Sequence, residues 1–160
     1  VYFNPSGETV TVTSAISTIA DSIAGIVISG VTIKDIDQIP DAAAMLCPLM
    51  IPSPANFVSD YNMTFETFGS MGAAKMNSVY TLNYIYLHCE LGSGVNSFAP
   101  YADVMSKVQT ILVAIFSNDK VIGLVDLSLQ SISPVGVITD PAGNEFWGVQ
   151  IALRVLEHNQ

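Results

Sequence analysis

The sequence predicts an α+β domain: a mainly antiparallel sheet containing a long β-hairpin, with two amphipathic helices packed on one face. Apolar residues recur at helical spacing in two stretches, near residues 13–25 and 97–118. The other apolar runs alternate with a period of two, as strands do, and turn residues separate them. Strands and helices do not alternate as βαβ units, and no internal repeat is present, so antiparallel pairing is favoured over parallel.

Residues 1–12 carry a Pro-Ser-Gly turn and a Thr/Val alternation, read as an N-terminal arm or short edge strand. A single domain then covers 13–160. Thr13 or Ser14 supplies a hydroxyl cap for the first helix, whose stripe is Ile16, Ile19, Ala20, Ile23 and Val27, with Gly25 as a stop. Val31 and Ile33 form a short strand that runs into the acidic segment around Asp35, Asp37 and Asp41. Residues 45–54 are apolar but broken by three prolines, which remove ladder donors and point to an edge segment.

Residues 58–89 read as a hairpin whose glycine-bracketed tip lies near Met71. Its second strand, residues 76–89, places Met76, Tyr80, Leu82, Tyr84 and Tyr86 on one parity and Val79, Thr81, Ile85, Leu87 and Cys89 on the other. At roughly 3.3 Å per residue it would run about 45 Å, long enough to be the central strand. Both faces are largely apolar or aromatic, so one is expected under a helix and the other against a neighbouring subunit. In the helix of 97–118, Pro100 suits the first turn. Its expected buried stripe is Tyr101, Val104, Met105, Val108, Ile111, Leu112, Ile115 and Phe116. Residues 121–129 and 135–138 resume extended structure. Asp140-Pro141-Ala142-Gly143-Asn144 is a turn signal, and a last strand covers 146–156.

Half of the 160 residues are hydrophobic, 12% are charged, and the mean hydropathy is +0.48. That composition supports a packed core rather than disorder, and leaves too little charge to cover a monomer, so a homo-oligomer is expected. Five basic residues against fourteen acidic ones give a net charge of −9. So few cations cannot neutralise many phosphates, which argues against nucleic-acid recognition, including stacking of bases on Tyr80, Tyr84 and Tyr86. The expectation is a chain without a signal peptide or membrane span.

No constellation for catalysis emerges. Cys47 and Cys89 lack metal or redox spacing and read as small hydrophobes. His88 and His158 have no acid or nucleophile placed near them by a motif. The Asp35-x-Asp37 pair has oxygen donors that suit a hard cation, but lacks the glycine and later glutamate of a calcium loop, so a solvated acidic loop is favoured. Hydrolase, metalloprotease and nucleotide-binding motifs are missing. The expectation is a protein that is not an enzyme and carries no cofactor and no metal.

The arrangement of N-terminal helix, Pro-broken strand, long hairpin, second helix and closing hairpin resembles the tail-terminator and tail-completion (neck) proteins of long-tailed bacteriophages. The stretches that carry it are GVTIKDIDQIP (30–40), TLNYIYLH (81–88) and DPAGNEFWGVQIALRVLE (140–157). The resemblance implies a structural virion protein, assembled in the host cytoplasm as a homohexameric ring. Such a ring caps the tail tube and joins it to the head connector. Its partners are further copies of itself, the tail-tube protein and neck proteins, while DNA passes through the lumen without sequence-specific binding. Asp35, Asp37 and Asp41 are the expected lumen or rim surface, since negative charge keeps DNA from adhering. Met71, Tyr84, Tyr86 and His88 are the expected subunit contacts. Another neck, head-completion or tail-tube protein shares this logic, and a small-molecule-binding domain could instead use the aromatic strand face as a pocket.

Overall fold

A computed structural model describes residues 2–3, 9–10, 13–43, 46–67, 74–92, 99–118 and 125–159. In chain order the elements are β1 (Tyr2–Phe3), β2 (Thr9–Val10), α1 (Thr13–Ala24), β3 (Thr32–Ile33), a 3-10 turn (Ile36–Gln38), β4 (Leu49–Pro52), β5 (Val58–Thr67) and β6 (Ala74–Glu90). They continue as α2 (Ala99–Phe116), β7 (Val125–Ile132), β8 (Gly136–Thr139) and β9 (Glu145–Asn159). This is an α+β fold with a seven-stranded, mostly antiparallel sheet. β1 and β2 pair separately as a small antiparallel ribbon.

The sheet is organised round two long antiparallel strands, β6 and β9, in register from Met76↔Asn159 to Glu90↔Phe146. β4 and β5 pair with the other side of β6, and β7 and β8 with the other side of β9. The expected hairpin is therefore present as β5 and β6, and its second strand, β6, is central. The ladder bulges at His88, between Leu87 and Cys89. Nearby, Gly148 passes so close to β6 that a Cβ there would overlap the Tyr86 carbonyl oxygen.

Both helices lie over one face. Ile19 and Ile23 of α1 and Val104, Val108, Ile111 and Ile115 of α2 are buried in one cluster with Tyr80, Leu82, Tyr84, Tyr86 and the inward residues Val149, Ile151, Leu153 and Val155 of β9. Apolar surface removed from water at roughly 25 cal/mol per Å² makes this layer the main source of stability. The stripe of α2 is narrower than its periodicity implies, because Tyr101 and Met105 are exposed. Met105 lies on the side of α2 that faces β7. Val27, counted with α1, falls beyond its end and is also exposed: the Gly25 amide closes the last turn on the Asp21 carbonyl at 3.0 Å.

β4 is not an edge. It lies between β3 and β6, buried on both faces, and its pairing with β3 is parallel. The prolines fall at or beyond its ends, so the amides of Leu49, Met50 and Ile51 stay available to the ladder. The second face of the sheet is covered at one end by the chain itself. Ala43, Leu49, Ile51, Ile85, Leu87 and Phe146 are buried there, with Ile39, Leu46, Cys47 and Ile138 packed against them. At the other end that face is polar: Thr81 donates to Gln130 at 2.6 Å, and Asn83 donates to the Asn56 carbonyl and to Ser59. No helix among the described residues is long and apolar enough to cross a membrane.

Candidate functional site

The acidic segment divides into one inward and two outward residues. Asp35 caps the 3-10 turn, accepting the Ile36 amide at 2.7 Å, while Gln38 reaches back to the Asp35 amide. Burial raises its carboxyl above the usual aspartate value, and so does a hydrogen bond to the Asp21 carboxyl of α1. Asp37 and Asp41 are exposed. Of the expected rim surface, these two are free to form it and Asp35 is committed to the fold.

The aromatic strand positions take a different place from the one expected. Tyr84 and Tyr86 are 1% and 0% exposed, because their parity faces the helices, so no part of either ring is left for a neighbouring subunit. Tyr84 meets Phe57 edge to face at 5.4 Å, and its hydroxyl is buried without a hydrogen-bond partner among the described residues. Side chains of the two helices pack against this face. Tyr86 shares a hydrogen bond of 2.9 Å with His88 Nδ1. Burial pulls the imidazole below its ordinary value; Asp103 pushes it back up and Lys107 lowers it further. His88 is half-buried and linked to the core. Met71, at the hairpin tip, lies outside the described residues.

Two buried polar contacts are fold devices. Tyr80 donates to Glu157 Oε1 at 2.7 Å between β6 and β9. Asp140 accepts the Ala43 amide at 3.0 Å and the Asn144 amide at 2.8 Å, fixing the turn before β9 to the cover of the second face. Burial works to raise the Asp140 carboxyl, but these donated hydrogen bonds outweigh it and hold the group below its usual value. The Cys47 thiol is pushed up to about 11 by burial and by the charges of Glu90, Cys89 and Asp140. It is therefore protonated and a poor nucleophile at neutral pH. No three His, Cys, Asp or Glu side chains among the described residues gather into a set that could hold a metal ion.

A surface groove of about 820 Å³ runs between α2 and β7, with Met105, Leu112, Val113 and Phe116 on the helix and Leu129 and Ile132 on the strand. None of its lining residues among the described ones is charged. Val113 is 61% exposed, and Tyr101, at the start of α2, is 54% exposed. The groove lies at the outer edge of the sheet, where β7 pairs only with β9 among the described residues. The sequence carried a signal for it: α2 is apolar over a wider arc than one buried stripe needs.

Sequence comparisons do not place the chain. No protein-family model matches it, and no curated protein is similar to it.

Proposed function

We propose that the chain is a structural virion protein that closes into a homo-oligomeric ring at the head-proximal end of a phage tail. There it terminates the tail tube and joins it to the head connector. The observation that carries this reading is the uncharged groove between α2 and β7, an apolar surface on a chain of net charge −9. Contiguous exposed apolar surface of this kind marks a protein contact, and repeated head-to-tail contacts close into rings when the rotation allows. The acidic remainder of the surface, Asp37 and Asp41 included, suits a lumen through which DNA slides without sticking. Assembly in the host cytoplasm and residence in the virion neck follow from the same reading, with the tail-tube and connector proteins as partners above and below.

Negative-stain images of the purified protein test it. Discrete rings with an open centre, hexameric on this reading, support a terminator. Long stacked tubes would move the assignment to a tail-tube protein, and rings of another copy number to a different neck component.

The groove volume also favours a second reading, since pockets for small ligands run roughly 300–1,000 Å³. A small apolar ligand bound there predicts a monomer whose melting temperature rises with the ligand. A ring predicts an assembly indifferent to it.

A further inference from the structure

Resting on the ring reading, we propose that the groove is one half of a head-to-tail contact whose other half is the β5 edge of a second copy of this chain. β5 and β7 are the outer strands on opposite sides of the sheet: β5 pairs only with β6, and β7 only with β9, among the described residues. Each edge carries exposed apolar side chains on the same face, the one that bears the helices. Val58 and Tyr61 stand on β5 and Leu129 on β7. Val58 lies opposite Leu82, and Tyr61 stacks on Tyr80 at 5.4 Å, so both belong to the helix side.

Strand direction fits such a contact. β5 and β9 both run antiparallel to β6, and β7 runs antiparallel to β9. Two copies set edge to edge in the same orientation therefore bring β7 of one beside β5 of the next as antiparallel neighbours. A symmetric β7-to-β7 contact would instead pair like surfaces and stop at a dimer.

Each edge strand also carries a carboxylate: Asp60 is exposed at the bulge of β5, with φ of 53°, and Asp126 of β7 lies on the face away from the helices. Arg154, one strand in on β9, shares that face between Thr81 of β6 and Ser128 of β7. The contact is therefore carried by the apolar side chains on the helix face. Bulges in both edge strands bend the ladders, so side-chain docking into the groove carries the contact more than a continuous backbone ladder does.

The test uses two variants, each with one spoiled half. Val113→Asp damages the groove and leaves the β5 edge intact; Val58→Asp does the reverse. Both side chains are exposed, so each variant should keep the wild-type circular dichroism. Light scattering should give the single-chain mass for either variant alone. An equimolar mixture should double that mass and go no further, since only one complementary contact can form. Leu129→Glu and Tyr61→Glu form a second pair that decides the matter if a first variant misfolds.

Wild-type-sized assemblies from a variant alone would overturn this contact and leave the ring standing. A mixture that stays at the single-chain mass would show that the groove receives something other than the β5 edge. A wild-type protein that never assembles would overturn the ring and the contact together.

Discussion

The hydroxyl of Tyr80 donates to the carboxylate of Glu157 at 2.7 Å, joining the two central strands on the face covered by the helices. Both residues are buried, with Tyr61 stacked on the outer side of Tyr80. A buried carboxylate needs such donors, and burial together with this hydrogen bond raises the Tyr80 hydroxyl far above its ordinary value. Tyr80→Phe removes the donor and leaves the carboxylate. It should lower stability by about 2 kcal/mol, the scale of a hydrogen bond to a charged group. Glu157→Gln, which keeps an acceptor and removes the charge, should cost less. Urea unfolding of the two variants gives the order, and the reverse order would refute this account of the pair.

Gly148 is required by proximity. Alanine usually improves a strand position held by glycine, by roughly 0.5–1 kcal/mol. Here its Cβ would meet the Tyr86 carbonyl, which is backbone and cannot swing away. Gly148→Ala should therefore destabilise the protein and loosen the β6–β9 ladder beside the His88 bulge. Amide exchange at Leu87 and Val149 should accelerate, while exchange around Leu82 and Leu153 should change little.

Acid should weaken the fold in two separate windows. The imidazole of His88 lies below its unfolded value of 6.5, chiefly through burial, with Asp103 opposing and Lys107 assisting. Its contribution is full above pH 6.5 and is lost as pH falls through the lower folded value. Asp140 also has a depressed value, so its contribution is full above 3.8 and is lost only below that. Unfolding measured between about pH 7.5 and about pH 5.5, either side of the unperturbed histidine value, should show stability falling, and His88→Gln should flatten that slope. An unchanged slope in the variant would assign the pH dependence elsewhere.

The carboxyl of Asp35 should behave in the opposite sense. It is raised by burial and by Asp21, so the stability linked to it is full below 3.8 and is lost as pH rises through the folded value. An asparagine side chain at this position would still cap the Ile36 amide while removing the repulsion. Asp35→Asn should stabilise the protein at neutral pH by about 0.5 kcal/mol, the scale of a relieved like-charge pair. The gain should fade as the solution is acidified toward the ordinary aspartate value. A loss at neutral pH would mean that the charge itself is needed.

The parts of this fold written in local pattern are legible in the sequence. The period-two alternation of 76–89 and 146–156 marks the two central strands and assigns Val149, Ile151, Leu153 and Val155 to one face. The 3-4 spacing marks the buried residues Val104, Val108, Ile111 and Ile115 of α2. Periodicity names the apolar residues but not where a helix sits across a sheet, so it places Tyr101 and Met105 in the core and gives no view of the groove. Prolines in 45–54 suggest an edge, because composition does not show that they fall outside the three paired residues Leu49, Met50 and Ile51 of β4. The contacts of Tyr80 with Glu157 and of Ala43 with Asp140 span 77 and 97 residues, and no local signal marks either. Tyr84 and Tyr86 are expected at a subunit contact but lie in the core, because alternation separates the two faces of a strand without showing which one the helices cover.

A ring requires that this chain close on itself through a finite number of identical contacts. Multi-angle light scattering of the wild-type protein over a wide range of concentration tests that most directly. Closure predicts one mass, a small whole multiple of the 17.0 kDa chain, that stays constant across the upper part of the range. A mass that remains at 17.0 kDa throughout, or one that climbs without limit, would contradict it.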